Sequence, residues 1–187
     1  MKDVPYELIQ KAALGDMAAF EEIYRMTSGV VYAVCYGITN NRMDAQEAAQ
    51  DVFIKVHDNL GKFAEGTSFG AWTYRITVNT AINYYNKAKR KRHREVYNEV
   101  ALETAGADGN VDKGLIEEDA RKKAAELLAG LNTEHRACII LREIEGLSYE
   151  EIARSLRINI NTVKSRLKRA REALMNFARK EVRGEVR

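Results

Sequence analysis

The sequence predicts an all-α protein made of two small helical domains joined by a flexible linker. Three observations predict it. Ala, Leu, Glu, Lys and Arg dominate, and apolar residues recur at helical rather than alternating spacing. A single proline among 187 residues argues against a chain built from many short strands and tight turns. Finally, Ala105-Gly106-Ala107-Asp108-Gly109-Asn110 is small, polar and glycine-rich and interrupts the helical pattern. The expected organisation is a first domain over residues 1–94, a linker over 95–114 and a second domain over 115–187. A 45% hydrophobic and 30% charged composition suits real cores under a charged surface.

Each element has its own signal. Leu8, Ile9, Ala12 and Ala13 begin a helix that Gly15 can end. Asp16 can cap the next, which carries Phe20, Ile23 and Tyr24. Val30 to Ile38 is apolar, and its β-branched content leaves a strand as the alternative. After the break at Thr39-Asn40-Asn41, Asp44 is expected to cap a long helix with Ala45, Ala48, Ala49, Val52, Phe53, Val56 and Leu60 on one face. Gly61 to Thr67 reads as a loop. Ser68 can cap a helix that turns Phe69, Trp72 and Ile76 inward and runs into the basic block 87–94. Beyond the linker, Leu115, Ala124, Leu127, Leu128 and Leu131 begin the second domain. Thr133 is expected to open a helix burying Ala137, Ile140, Leu141 and Ile144, which Gly146 ends.

Composition excludes several functions. No apolar run approaches the ~20 residues of a membrane span, and Met1-Lys2-Asp3-Val4-Pro5 does not begin a signal peptide. A cytoplasmic location follows as the expectation. Cys35 and Cys138 lie far apart in apolar surroundings and read as small buried hydrophobes. A zinc site needs close pairs of ligands; neither cysteine has one and His57, His93 and His135 are scattered, so no cofactor is expected. There is no phosphate loop and no nucleophile–base constellation, so the chain reads as a non-enzyme without a small-molecule substrate. The net charge of +3 conceals alternating blocks. Residues 1–65 and 101–130 are acidic, whereas 87–94 and 164–171 are basic, which implies two separate contacts with a polyanion.

The clearest motif lies near the C-terminus. Ser148 and Glu151 form a capping box, with Leu147 and Ile152 placed as a hydrophobic staple. A short helix ends near Leu156, Arg157-Ile158-Asn159 turns, and Asn159 can cap the next helix. That helix buries Val163, Leu167, Ala170 and Leu174. Its opposite face presents Asn161, Thr162, Lys164, Ser165, Lys168 and Arg169. An apolar back and a donor-bearing front are what a recognition helix in the major groove requires. A second motif runs from Ser68 to Tyr85. There Trp72, Tyr74, Tyr84 and Tyr85 are interleaved with Arg75, Asn79 and Asn83, a pattern suited to single-stranded DNA. The Asp44 helix carries a third feature, a polar face of Gln46, Glu47, Gln50, Asp51 and Lys55.

Together these segments resemble an extracytoplasmic-function (ECF) sigma factor of bacterial RNA polymerase, in the sigma-70 family and its RpoE-like group. Asp44 to Lys55 resembles the family's polymerase-clamp helix, Phe69 to Asn83 its promoter-melting helix, and Leu147 to Ala153 with Thr162 to Leu174 its helix-turn-helix. The resemblance implies that Asp44, Glu47, Gln50 and Asp51 contact core polymerase. Lys62, Phe63, Ser68, Tyr74, Arg75, Asn79, Asn83, Tyr84 and Lys87 would engage the melted minus-ten strand, the loop from Lys62 to Ser68 holding a flipped-out base. Asn161, Thr162, Lys164, Ser165, Arg166, Lys168 and Arg169 would read the minus-thirty-five duplex. It further implies transcription initiation at stress-responsive promoters, control by an anti-sigma factor, and a monomer when free. Arg157 stands where the family usually has a turn glycine, Asn132 where it often has proline, and Gly70 where a larger residue is usual. A linker of about twenty residues spans at most ~70 Å. With the domain widths added it reaches between elements roughly twenty-five base pairs, or about 85 Å, apart. The competing readings are a helix-turn-helix regulator with a helical sensing domain and, more remotely, a helical enzyme.

Overall fold

A computed structural model describes residues 4–64, 66–98 and 127–182, and these contain α-helices, seven of them with described bounds, and no strand. They are α1 (Tyr6–Ala13), α2 (Met17–Thr39), α3 (Arg42–Asn59), α4 (Phe69–Asn98), α5 (Thr133–Ile139), α6 (Tyr149–Leu156) and α7 (Ile160–Val182). A 3₁₀ turn, Leu60–Lys62, follows α3, and a π-helical turn, Ile140–Ile144, follows α5. The glycine-rich segment 105–110, Leu115 and Ala124 lie outside the described residues. α4 continues to Asn98, past the expected start of the linker.

Local chemistry sets the helix starts. Asp16 accepts from the backbone N–H groups of Ala18 and Ala19 at 2.9 and 3.1 Å. Ser68 caps α4 by accepting from Ala71 N at 3.2 Å. Asn159 accepts from Asn161 N at 2.8 Å. One cap differs from expectation. Asn41, not Asp44, caps α3, and Asp44 is the residue whose N–H it receives, at 3.0 Å. Thr133 opens α5 as expected, and Asn132 caps it. In both cases the asparagine stands at the extended position before the first turn, where a side-chain oxygen can reach an orphan N–H. The proline usual at position 132 is thus replaced by another helix-starting device.

The strand alternative for Val30 to Ile38 is excluded, because the segment continues α2. Ile23, Val31, Val34, Cys35 and Ile38 are all fully buried along its length. Val52 and Val56 answer from α3, and Val78 and Ala81 from α4. Ala45, Ala48 and Ala81 let these three helices approach closely, and each buried aliphatic contributes about 1.5–3 kcal/mol. Thr27 and Thr77 hide their hydroxyls by donating to carbonyls one turn back, Ile23 O at 2.7 Å and Thr73 O at 2.8 Å. α1 packs on α2 and on the 3₁₀ turn. In the second domain Ala137, Cys138 and Leu141 pack with Ile152, Val163, Leu167 and Ala170. Ile144 departs from expectation at 61% exposed, because the π turn widens the helix and rotates that residue outward. Both cysteines are free and buried, and burial pushes the Cys35 thiol up to about 12.

Two local features yield predictions. Arg157 is the C-cap of α6 with φ 53°, a left-handed conformation that costs a side-chain-bearing residue about 1–2 kcal/mol. Arg157→Gly should therefore raise the urea midpoint, by up to ~1 kcal/mol after the unfolded chain's added entropy is subtracted; a fall would show that the side chain stabilises the turn. Between α3 and α4, the Tyr84 hydroxyl donates to Asp51 Oδ2 at 2.9 Å. Burial, followed by that bond and the Asp51 carboxylate, pushes the phenol up to about 12. Because the unfolded value is about 10, this contribution to stability is complete below pH ~10 and disappears as pH rises through the folded value. Tyr84→Phe should delete the phenolate step near 12 of a spectrophotometric titration and flatten stability across that alkaline window.

Candidate nucleic-acid interface

The helix-turn-helix forms as its sequence requires. Ser148 Oγ accepts from Glu151 N at 3.2 Å, and Glu151 Oε2 accepts from Ser148 N at 2.7 Å, completing the capping box. These bonds hold the Glu151 carboxyl below its ordinary range. The staple residues Leu147 and Ile152 are both buried, and Ile158 packs half-buried at the turn. Arg157 closes α6 in the left-handed conformation usual for glycine, so the turn keeps its form. With Val163, Leu167 and Ala170 buried, α7 turns Asn161, Lys164, Ser165, Lys168 and Arg169 to solvent. Thr162 is half-buried, and its carbonyl accepts from Ser165 Oγ at 2.9 Å.

Arg166 differs from its neighbours. It is half-buried and ion-paired with Glu134, so it ties α7 to α5 instead of projecting outward. His135 beside this face sits below its ordinary pKa, held there by burial and then by Arg169 and Arg166. The local field is accordingly positive.

The second site is a groove of about 820 Å³ along α4. Six of the predicted residues line it: Lys62, Phe63, Ser68, Arg75, Asn79 and Asn83. Phe63 forms its aromatic floor with Phe69 and Trp72, the ring centres 5.5 Å away in each case. Gly70 lies at the half-buried start of α4 and is not among the lining residues. Asn79 and Asn83 are exposed one turn apart, where they can meet a strand.

Three predicted residues fall elsewhere. Tyr74 is only 3% exposed, and its hydroxyl donates to Glu145 of the second domain at 2.7 Å. Burial and that carboxylate raise its pKa. Tyr84 is engaged with Asp51, and Lys87 is exposed beyond the groove. The sequence reading missed Lys55, Asn59, Arg154 and Arg157, which also line the groove. Lys55 had been placed on the polar face of its helix, but its Nζ reaches α4 and donates to Thr80 Oγ1 at 3.0 Å. Arg154 and Arg157 arrive from α6, a placement no local pattern reveals. Among the described residues the lining holds five cationic side chains and no carboxylate, and burial together with Arg157 lowers the Arg75 pKa.

On α3, Met43 and Ile54 are 71% and 59% exposed. With Glu47 and Gln50 they form one solvent-facing stripe at helical spacing. Asp44 and Asp51 sit half-buried at its margin. Among the described residues no cluster of His, Cys, Asp and Glu could hold a metal ion, and no helix is long and apolar enough to cross a membrane.

Comparison with known proteins agrees with this geometry. Residues 23–91 match Sigma-70 region 2, and residues 121–174 match Sigma-70, region 4. The chain is 35% identical over 177 residues to an ECF RNA polymerase sigma factor, SigE, of Mycolicibacterium smegmatis, covering 90% of this chain and 66% of that protein. It is 32% identical over 176 residues to the ECF RNA polymerase sigma-E factor of Escherichia coli, covering 90% of this chain and 91% of that one. Its fold matches the sigma factor RpoE of Bartonella quintana, solved with the anti-sigma factor NepR, with a TM-score of 0.63 and 26% identity over 86% of this chain and 96% of that chain. The region 2 match falls on the part that a sensing domain would occupy in the regulator reading. The chain belongs to the extracytoplasmic-function sigma factors of the sigma-70 family.

Proposed function

We propose that this sigma factor binds core RNA polymerase through the α3 stripe, opens the minus-ten element along the α4 groove and reads the minus-thirty-five duplex with α7. The observation that carries the reading is the groove. Five cations, with no carboxylate among the described lining residues, set over an aromatic floor, suit a phosphate backbone whose bases can stack. Of the predicted strand contacts, Lys62, Phe63, Ser68, Arg75, Asn79 and Asn83 fit this role as they stand, and Lys55 and Asn59 join them. In the duplex-reading set, Asn161, Lys164, Ser165, Lys168 and Arg169 face outward, whereas Arg166 serves as a strut through its pairing with Glu134. The domains over 1–94 and 115–187 act as two separate grips, and the polymerase supplies the proximity that makes modest individual affinities sufficient. The protein works in the cytoplasm without catalysis of its own, under the control of an anti-sigma factor.

The deciding experiment adds the protein to core polymerase and looks for run-off transcripts from genomic DNA. Promoter-specific transcripts support the reading, and their absence defeats it. Lys168→Ala combined with Arg169→Ala should weaken promoter binding and reduce the salt slope by about 2, since each lost phosphate contact removes ~0.9. Core binding should be unchanged, and an unaltered slope would place duplex reading on another face. Conversely, Glu47→Arg should weaken core binding by about tenfold, the effect of losing ~1.4 kcal/mol at an interface, while binding to single-stranded DNA is retained.

A further inference from the structure

The helix α7 is gripped on both flanks. At ~100° per residue its docked stripe of Val163, Leu167, Ala170 and Leu174 covers a narrow arc, and Arg166 and Arg171 lie about 70° to either side of it. Each arginine meets a glutamate on a different element. Arg166 pairs with Glu134 in the first turn of α5. Arg171 Nη2 donates to Glu143 Oε1 in the π turn at 2.7 Å, and its Nη1 donates to the Tyr149 hydroxyl of α6 at 3.3 Å. Tyr149 is held in turn by Arg142, whose guanidinium lies 5.2 Å from its ring centre and whose Nη1 donates to Leu147 O at 2.7 Å. π turns are rare and cluster at functional sites; this one brings the Glu143 carboxylate to α7.

These pairs add little to stability. Arg171, Glu143 and Glu134 are each about half exposed, and at such exposure solvent screening offsets most of the attraction. Their leverage is angular. A side-chain tip ~6 Å from the helix axis moves by about 1.5 Å when the helix rolls by about 15°. That displacement exceeds the ~0.5 Å spread of good hydrogen-bond lengths. Lys168 and Arg169, about 130° from the stripe on opposite sides, would shift together. Apolar burial is non-directional and resists such a roll weakly. A charge-assisted bond on each flank resists it in both senses.

We propose that Glu134 and Glu143 are positioning residues for duplex reading. Through Arg166 and Arg171 they fix the roll of α7, and sequence discrimination depends on them more than affinity does. The pairs also keep both arginines off the phosphates, so their loss exchanges discrimination for unspecific attraction. The effect on discrimination rests on the duplex-reading role proposed above; the bracing does not.

The test uses the full chain on core polymerase with two duplexes: a promoter recovered by run-off, and the same duplex with its upstream element replaced by mixed sequence. Glu134→Gln combined with Glu143→Gln should lower the affinity ratio between them by about fivefold or more, the discrimination of one base contact. The salt slope should not fall, and the thermal melt, the folding control, should shift little. Glu143→Arg combined with Arg171→Glu should restore most of the ratio that either change alone removes. An unchanged ratio in the doubly neutral variant, or a charge swap that rescues nothing, overturns the proposal. So does an Arg171→Met variant whose salt slope falls by about one, because Arg171 would then be a phosphate contact. Spin labels on Lys168→Cys and Glu150→Cys, with the buried Cys35 and Cys138 left unlabelled, read the bracing without DNA. Their distance distribution should be narrow in the parent and broaden in the doubly neutral variant, and an unchanged width overturns the bracing. If no promoter is recovered, or the wild type fails to tell the duplexes apart, while the distribution still broadens, the duplex-reading role is defeated and the bracing stands.

Discussion

The arrangement depends on how one buried charge is accommodated. Arg136 is fully buried, and its hydrogen-bond partners are carbonyls: Ala129 O at 2.8 Å, Leu131 O at 3.1 Å and Ile38 O at 2.6 Å. Its Nε has no hydrogen-bond partner. A buried guanidinium is costly unless its donors are satisfied, and burial lowers the Arg136 pKa accordingly. Two of its bonds hold the approach to α5 within the second domain, and the third reaches the last turn of α2 in the first. One side chain thus organises its own domain and joins it to the other. The helix-turn-helix and the groove both take their positions from that junction.

Charge is segregated by face. The groove walls and the outward side of α7 are cationic, with Arg166 withdrawn into an ion pair. The exposed stripe of α3 instead mixes Glu47 and Gln50 with Met43 and Ile54. A one-signed surface suits a polyanion, and a mixed apolar and acidic stripe suits a protein. The hydrogen bond from Tyr84 to Asp51 and the one from Lys55 to Thr80 link α3 to α4, so the mixed stripe and the cationic groove belong to one packing unit.

The parts legible in sequence were those governed by short-range chemistry. The capping box at Ser148, the Asp16 and Ser68 caps and the buried face Val163-Leu167-Ala170 depend on neighbours within a few residues, and they form as expected. The errors were local too, and instructive. Asn41 took the cap expected three residues later, because several residues near a helix start can accept from an orphan N–H and the backbone turn selects among them. Val30 to Ile38 was ambiguous because β-branched residues suit either state until packing chooses.

The sequence by itself determined the helical class, the helix-turn-helix and which faces are cationic or apolar, since periodicity, capping and charge act over a few residues. Only the tertiary structure decided which residues on those faces are available. It buried Tyr74 against Glu145, turned Arg166 toward Glu134, carried Lys55 across to Thr80 and set Arg154 and Arg157 on the groove wall. Each outcome joins residues distant in the chain, from Lys55 and Thr80 on neighbouring helices to Tyr74 and Glu145 in different domains. Their pairing depends on how helices pack, and no local pattern encodes that.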